Sequence, residues 1–320
     1  MKLEKKKRFS LFDMNRDGKG VEKNEDGPKN FKNFFKFFGR KFSRLLSLNL
    51  IMLFMILPLI ISVMVYIVGP TTLSSGDVVF PTLYGASFMS DSIAVDMMLT
   101  LHNVPMAVPV YNSYVYYIIA AFVLFLVITF GWQNVGSIYI LRNMVRGDAV
   151  FMVSDYFYAI KKNKRQGFIM GLLDCLVVFV LCVDFMFFSA QTGSSMMDIM
   201  YGVVLALVLI YFIMRAYIYL QIVTFNLSLW KIIKNAFIFT ALGIKRNFVA
   251  FLGLVAIVVV NGALIIWLAP FDIILPLVLP LFYLLATAGF ILVYAAYPVI
   301  EKYMIEPDLQ YKPDEEVADI

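Results

Sequence analysis

Long apolar runs alternate along the chain with short polar segments that are mostly basic. Six runs reach the roughly twenty residues that a helix needs to cross a bilayer core. They are Leu46–Val68, Tyr114–Tyr139, Phe168–Ser189, Met197–Leu220, Phe248–Ala269 and Ile273–Tyr297. Only "LAPFDIILP" parts the last two, and its prolines and Asp272 suit a tight turn at a membrane surface. The pattern predicts an all-α fold, a polytopic membrane helix bundle with six transmembrane helices. Residues 1–45 read as a basic leader ending in an interfacial helix, 46–297 as the membrane domain, and 298–320 as an acidic tail.

Composition agrees. Of the 320 residues, 61% are hydrophobic and 15% charged, against about 25% charged in a soluble domain; mean hydropathy is +0.82. The leader has no signal-peptide pattern, so the first span is expected to be retained. Cys175 and Cys182, seven residues apart in one apolar run, read as packing residues on one helix face. With His102 as its single histidine, the chain alone cannot build a His-rich metal site.

Charge orients the spans. Of the 27 lysines and arginines, fourteen lie in residues 1–45, six in 141–167, four in 221–247 and two in 298–320, with Arg215 making up the complement. Segments 69–113, 189–197 and 269–273 have none. Six spans with a cytoplasmic N-terminus place every basic residue on or near the cytoplasmic side, together with the C-terminus. Arg215 then lies near the inner end of span four, where it can snorkel.

The segments entering spans one, three and five are alike: "NFFKFFGRKFSRLLSLNL", "DYFYAIKKNKRQGFIMGL" and "NAFIFTALGIKRNFVAFLGL". Each has an aromatic amphipathic stretch, a basic cluster and then the span. An offset of 80 residues pairs Phe157 with Phe237, Phe168 with Phe248 and Leu172 with Leu252. This reads as three repeated helical hairpins, each entered by a cytoplasmic interfacial helix, with Ser154 and Ser228 as N-caps of two. The outer segment 69–113 is a long insertion carrying Asp77, Asp91, Asp96 and His102. It reads as a cap over the bundle or a functional element.

The stretch "FGWQNVGSIYILRNMVRGDAVFMVSDYFYAIKKNKRQGFIMGLLD" resembles the YesL-like family of bacterial membrane proteins, a domain of unknown function, in a long Gram-positive form. The leader "DGKGVEKNEDGPKNFKNFFKFFGRKF" and the pattern around Asn49, Pro58, Gly69 and Pro70 are similar to that family too. The resemblance implies a bacterial cytoplasmic membrane and a link to carbohydrate uptake, with a sugar ATP-binding-cassette transporter component as partner. It carries over no catalytic residue, and the insertion after Pro70 departs from the compact family pattern.

"FDMNRDGKGVEKNE" opens like a calcium loop, with Asp13, Asn15, Asp17 and Gly18 in place. Position 12 is Asn24 where a bidentate Glu belongs, with Glu25 one residue late, and Gly20 stands where an aliphatic residue packs the loop. A calcium site is therefore not expected. The leader's fourteen basic residues against six acids suit an anionic membrane surface instead. Lacking a folded module beside it, the basic run does not point to nucleic acid.

Carboxylates within spans face protein or water, because a bare charge in hydrocarbon is costly. Asp174 and Asp184 on span three stand about 80° apart around the helix, and Arg215 lies at a depth comparable to Asp174. A buried Asp174–Arg215 pair is the structural expectation; a proton or cation site using Asp184, with Asn134 and Asn261, is the functional one. Trp132, Gln133, Asn134, Gly136 and Ser137 interrupt span two and suit close helix contact and interhelical hydrogen bonds. Arg142 and Arg146, with Lys161, Lys162, Lys164 and Arg165, form a candidate cytoplasmic docking surface. No GxSxG, HExxH, Walker, CxxC or GxGxxG pattern stands in a suitable context, so no catalytic residue or cofactor is assigned. Three readings remain: a non-enzymatic accessory or regulatory partner of a carbohydrate uptake system, a stand-alone small-solute or ion-coupled transporter, and a membrane enzyme using the outer acids and His102.

Overall fold

The computed structural model describes residues 29–68, 71–73, 109–111, 113–191, 194–268 and 275–307. The calcium-like stretch, most of the outer insertion with Asp77, Asp91, Asp96 and His102, the "LAPFDIILP" turn from 269 to 274, and the tail from 308 onward lie outside them. Eight α-helices make up the described chain: α1 Phe31–Val68, α2 Ser113–Arg146, α3 Met152–Lys162, α4 Lys164–Ala190, α5 Ser195–Thr224, α6 Leu229–Leu242, α7 Ile244–Leu268 and α8 Leu275–Ile300. A π-helical turn, Glu301–Ile305, continues α8. Six of these helices are long and apolar enough to cross a membrane, matching the six predicted spans. The chain divides into residues 1–42 and 43–320. Within the first unit, α1 lines up Phe34, Phe38 and Phe42 four residues apart, with ring centroids 5.9 and 5.4 Å apart.

One addition to the all-α expectation is a short ribbon. Thr71–Leu73 (β1) pairs antiparallel with Pro109–Tyr111 (β2), Thr71 opposite Tyr111. It ties together the two ends of the insertion.

Two surface helices turn into spanning helices through single residues. Between α3 and α4 the turn is Asn163; between α6 and α7 it is Gly243. The N–H of Asn163 donates to Ala159 O and that of Gly167 to Asn163 O; eighty residues on, Gly243 donates to Phe239 O and Asn247 to Gly243 O. Burial follows the same offset, with Tyr156 matching Ala236 and Ala159 matching Phe239. The correspondence reaches the returning helices, where Ile140, Leu220 and Ile300 are all fully buried. In the first copy the expected break between interfacial and spanning helix is absent, since α1 runs unbroken from Phe31 to Val68. Of the two expected N-caps, Ser228 holds its position, without a side-chain bond. Ser154 lies inside α3, whose N-cap is Phe151, one turn earlier; there the Asp155 carboxylate accepts the Phe151 N–H at 2.8 Å.

The returning helices α2, α5 and α8 touch one another and form the core. Each entering helix is then pinned to the returning helix of the preceding copy. The Trp132 indole on α2 donates to Lys164 O at the start of α4, 2.8 Å. Tyr217 on α5 donates to Asn247 Oδ1 on α7, 2.9 Å. Asn49 on α1 closes the circle on α8, its amide donating to Leu281 O at 2.6 Å and accepting the Ala286 N–H at 2.9 Å. In a bilayer no hydrophobic force favours helix association, so close packing and such bonds must supply it.

The tightest crossing is α2 on α4. A Cβ on Gly171 would stand 2.5 Å from Gly131 Cα, and one on Gly131 2.7 Å from Gly171 Cα. Gly167 and Gly171, four residues apart, form a small-residue face, the usual device for close approach between membrane helices. Gly136 meets the Tyr156 ring in the same way, where a Cβ would come within 2.7 Å. The chain leaves α2 through Gly147, at φ 83°. The Gly147 N–H bonds Met144 O and the Asp148 N–H bonds Asn143 O, a Schellman turn that asks for glycine.

Candidate functional site

The polar cluster of the membrane domain is built around Asp174. Its side chain is fully buried on α4, and α5 presents three donors to it from positions four residues apart. Tyr211 donates to Oδ1 at 2.8 Å, Tyr219 to Oδ2 at 2.9 Å, and Arg215 Nε lies 2.8 Å from Oδ1 and 2.9 Å from Oδ2. Positions i, i+4 and i+8 share one helix face, so a single stripe of α5 closes on one carboxylate. The Arg215 guanidinium also stacks over Phe130 of α2, 5.2 Å from the ring centroid. The expected Asp174–Arg215 pair is therefore present, with two tyrosines that sequence reasoning missed. Their four-residue spacing from Arg215 was the available signal.

The cluster belongs to one copy of the repeat. The 80-residue offset places Val135 and Ala295, both buried and apolar, at the positions equivalent to Arg215. Leu254 stands where Asp174 would recur. The ion pair thus stands where the equivalent positions of the other copies hold apolar side chains.

The other candidates for an intramembrane polar site do not join this cluster by any hydrogen bond among the described residues. Asp184 is half-buried, ten residues and about 15 Å of helix rise beyond Asp174. Asn134 bonds its own helix, donating to Phe130 O at 2.9 Å. Asn261 donates to Ile257 O and accepts from Tyr283 at 2.6 Å, which joins α7 to α8. Gln133 does what the sequence expects of amides in span two, reaching Met55 O on α1 at 3.3 Å. Both cysteines are free thiols on α4, and Cys182 lies exposed on its surface rather than packed as expected. No group of three or more His, Cys, Asp or Glu side chains suited to a metal occurs among the described residues.

At the basic end, Arg142 corrects the sequence reading. It is 8% exposed and turns inward rather than lining a docking surface. Its Nη1 donates to Val223 O at the end of α5, its Nε and Nη2 bond Asn143 Oδ1 at 3.1 and 2.8 Å, and its guanidinium lies over Tyr139, 4.6 Å from the centroid. A cation capping a helix C-terminus meets both orphan carbonyls and the negative end of the helix dipole. The remaining members of the predicted surface are exposed: Arg146, paired with Asp148 at 3.2 Å, and Lys161, Lys162, Lys164 and Arg165 around the α3–α4 turn.

The α3 helix is held under this surface by Tyr156, whose ring fills the notch at Gly136. Burial pushes its phenol up to about 12.

These features define an integral membrane protein, a six-span all-α bundle of three helical hairpins. Comparison with protein-family models, with curated proteins and with solved structures finds no match. The resemblance to the YesL-like family accordingly stays with the residues that carry it.

Proposed function

We propose that the protein is a non-enzymatic accessory or regulatory component of a bacterial carbohydrate uptake system. Both termini and the α3–α4 turn lie on the cytoplasmic side of the membrane, as the distribution of lysine and arginine favours. The observation that carries the reading is the saturation of Asp174. Three donors from one helix close on it, and Asp184, Asn134 and Asn261 stay outside its bonding. The Asp174–Arg215 charges thus act in holding helices together, and the surface offered to a partner is the exposed basic, aromatic one of Tyr158, Lys161, Lys162, Lys164 and Arg165. The carbohydrate assignment rests on the YesL-like resemblance, and a sugar ATP-binding-cassette permease is the partner it suggests.

The test is cross-linking and co-purification of the tagged protein from its native membrane. Transporter components are expected at near-stoichiometric levels. Charge reversal at Lys161, Lys162, Lys164 and Arg165 should remove them while leaving membrane insertion intact. A protein that purifies alone overturns the reading and makes reconstituted transport with Asp184→Asn the next experiment.

A further inference from the structure

The two repeat copies share a fold at the basic end but not a surface. The turn hydrogen bonds of α3–α4 and α6–α7 superpose at the 80-residue offset, so exposed positions can be compared one for one. Where α3 and its turn expose Tyr158, Lys161, Lys162 and Lys164, α6 and its turn expose Ile238, Ala241, Leu242 and Ile244. Phe157 and Phe237 are exposed in both. On α6, Trp230 is 76% exposed and Phe237 64%, and Ile244 at the start of α7 is 66% exposed, although the opposite face of α6 is already packed through Ile232, Ala236 and Phe239.

Two observations say what covers this apolar face. First, its exposed apolar positions continue past the turn as Ile244, Phe248 and Leu252, spaced four residues apart on α7, a helix long and apolar enough to span a membrane. The covering medium at α6 is thus continuous with the one around α7, which is lipid. Second, the charged residues beside it carry one sign. Lys231, Lys234, Lys245 and Arg246 flank the apolar face, and the chain has no Asp or Glu between Asp198 and Asp272. The α3 side carries Asp148 and Asp155 among its cations. A second copy docking face to face would set cation against cation, since a two-fold contact is self-complementary. A surface of phosphate-bearing lipid meets both requirements.

We infer that α6 and the first turn of α7 form an anionic-phospholipid-binding surface, with the α6 ring and aliphatic side chains sunk at the acyl boundary and its four cations in the phosphate layer. The α3 turn, with lysines in place of isoleucine and leucine, stands higher and faces water. The same fold unit serves as lipid anchor in one copy and as aqueous face in the other. This assignment is independent of which partner α3 docks.

The experiment uses the full chain reconstituted in vesicles of phosphatidylcholine and phosphatidylglycerol, released into detergent, with retained lipid read by native mass spectrometry. Wild type should retain phosphatidylglycerol over phosphatidylcholine by roughly tenfold. Replacing Lys231, Lys234, Lys245 and Arg246 by Gln should bring the two lipids to near-equal retention. The same change at Lys161, Lys162, Lys164 and Arg165 should leave most of the preference. In a W132F/W267F background with every cation intact, brominated lipid should quench Trp230, a reading that does not depend on the stability of the Gln variants. Equal retention by wild type, equal loss from the two Gln variants, or a Trp230 that brominated lipid does not quench would each overturn the inference.

Discussion

Arg215 Nε sits 2.8 Å from Asp174 Oδ1, on a helix stripe whose neighbours four residues either side, Tyr211 and Tyr219, donate to the same carboxylate. An ion pair of this kind is costly to halve and cheap to replace, because removal of one partner strands the other in a low dielectric. Arg215→Met should destabilise the protein by about 3–5 kcal/mol, read as detergent or denaturant unfolding. Asp174→Leu combined with Arg215→Met should recover most of the loss, since the equivalent positions in other copies, Leu254, Val135 and Ala295, are apolar. Additive losses in the double variant would show that the pair does not act as a unit.

The tyrosines should each matter less than the arginine. Tyr219→Phe leaves Asp174 two donors and is expected to cost about 1–2 kcal/mol, the range for a bond to a charged group tempered by what membrane helices show. A loss as large as that of Arg215→Met would mean that the phenol, rather than the ion pair, governs the cluster.

Glycines of the bundle should divide sharply by position. Gly131→Ala and Gly171→Ala push a methyl into facing backbone and should part α2 from α4, at about 1–3 kcal/mol or more. Gly202→Ala and Gly262→Ala meet nothing within 4 Å and should be neutral or slightly stabilising, as alanine is the better helix former. Thermal midpoints in one detergent compare all four.

Asn49 is the polar rivet between α1 and α8. Asn49→Leu leaves Leu281 O and the Ala286 N–H without their partner and should cost about 1–3 kcal/mol. The same loss should raise amide hydrogen exchange at Ala286 and its neighbours on α8. Unchanged exchange there would place the effect of the variant elsewhere.

Tyr156 makes stability depend on high pH. An unfolded tyrosine titrates near pH 10, and the buried phenol does so near 12. The folded state therefore keeps its proton to higher pH, and this stabilising contribution is complete below about pH 10 and lost between 10 and 12. Subtracting the pH profile of Tyr156→Phe from that of wild type should isolate a decline confined to this window. A flat difference would show that the ring is hydrated.

The physics of single segments was legible in the chain. Apolar length marked six spans because a helix must hide its backbone across a bilayer whatever it packs against. The offset pairing Phe157 with Phe237 exposed the repeat, because like helices turning at a membrane surface need like residues. Asp174 and Arg215 could be matched by depth alone. Relations between segments were not legible. That Arg142 turns inward to cap α5 while Arg146 stays exposed depends on where the end of α5 lies, and nothing near Arg142 in the chain says so. Tyr211 and Tyr219 look like ordinary span aromatics until α4 brings Asp174 beside them. The circle of contacts from α1 through Asn49 to α8 joins residues more than 230 apart. Hydropathy is a property of each segment by itself, so the chain alone determined which segments enter the membrane. Close helix approach and buried hydrogen bonds are properties of pairs, so only the tertiary structure decided which polar groups are spent on packing and which remain exposed.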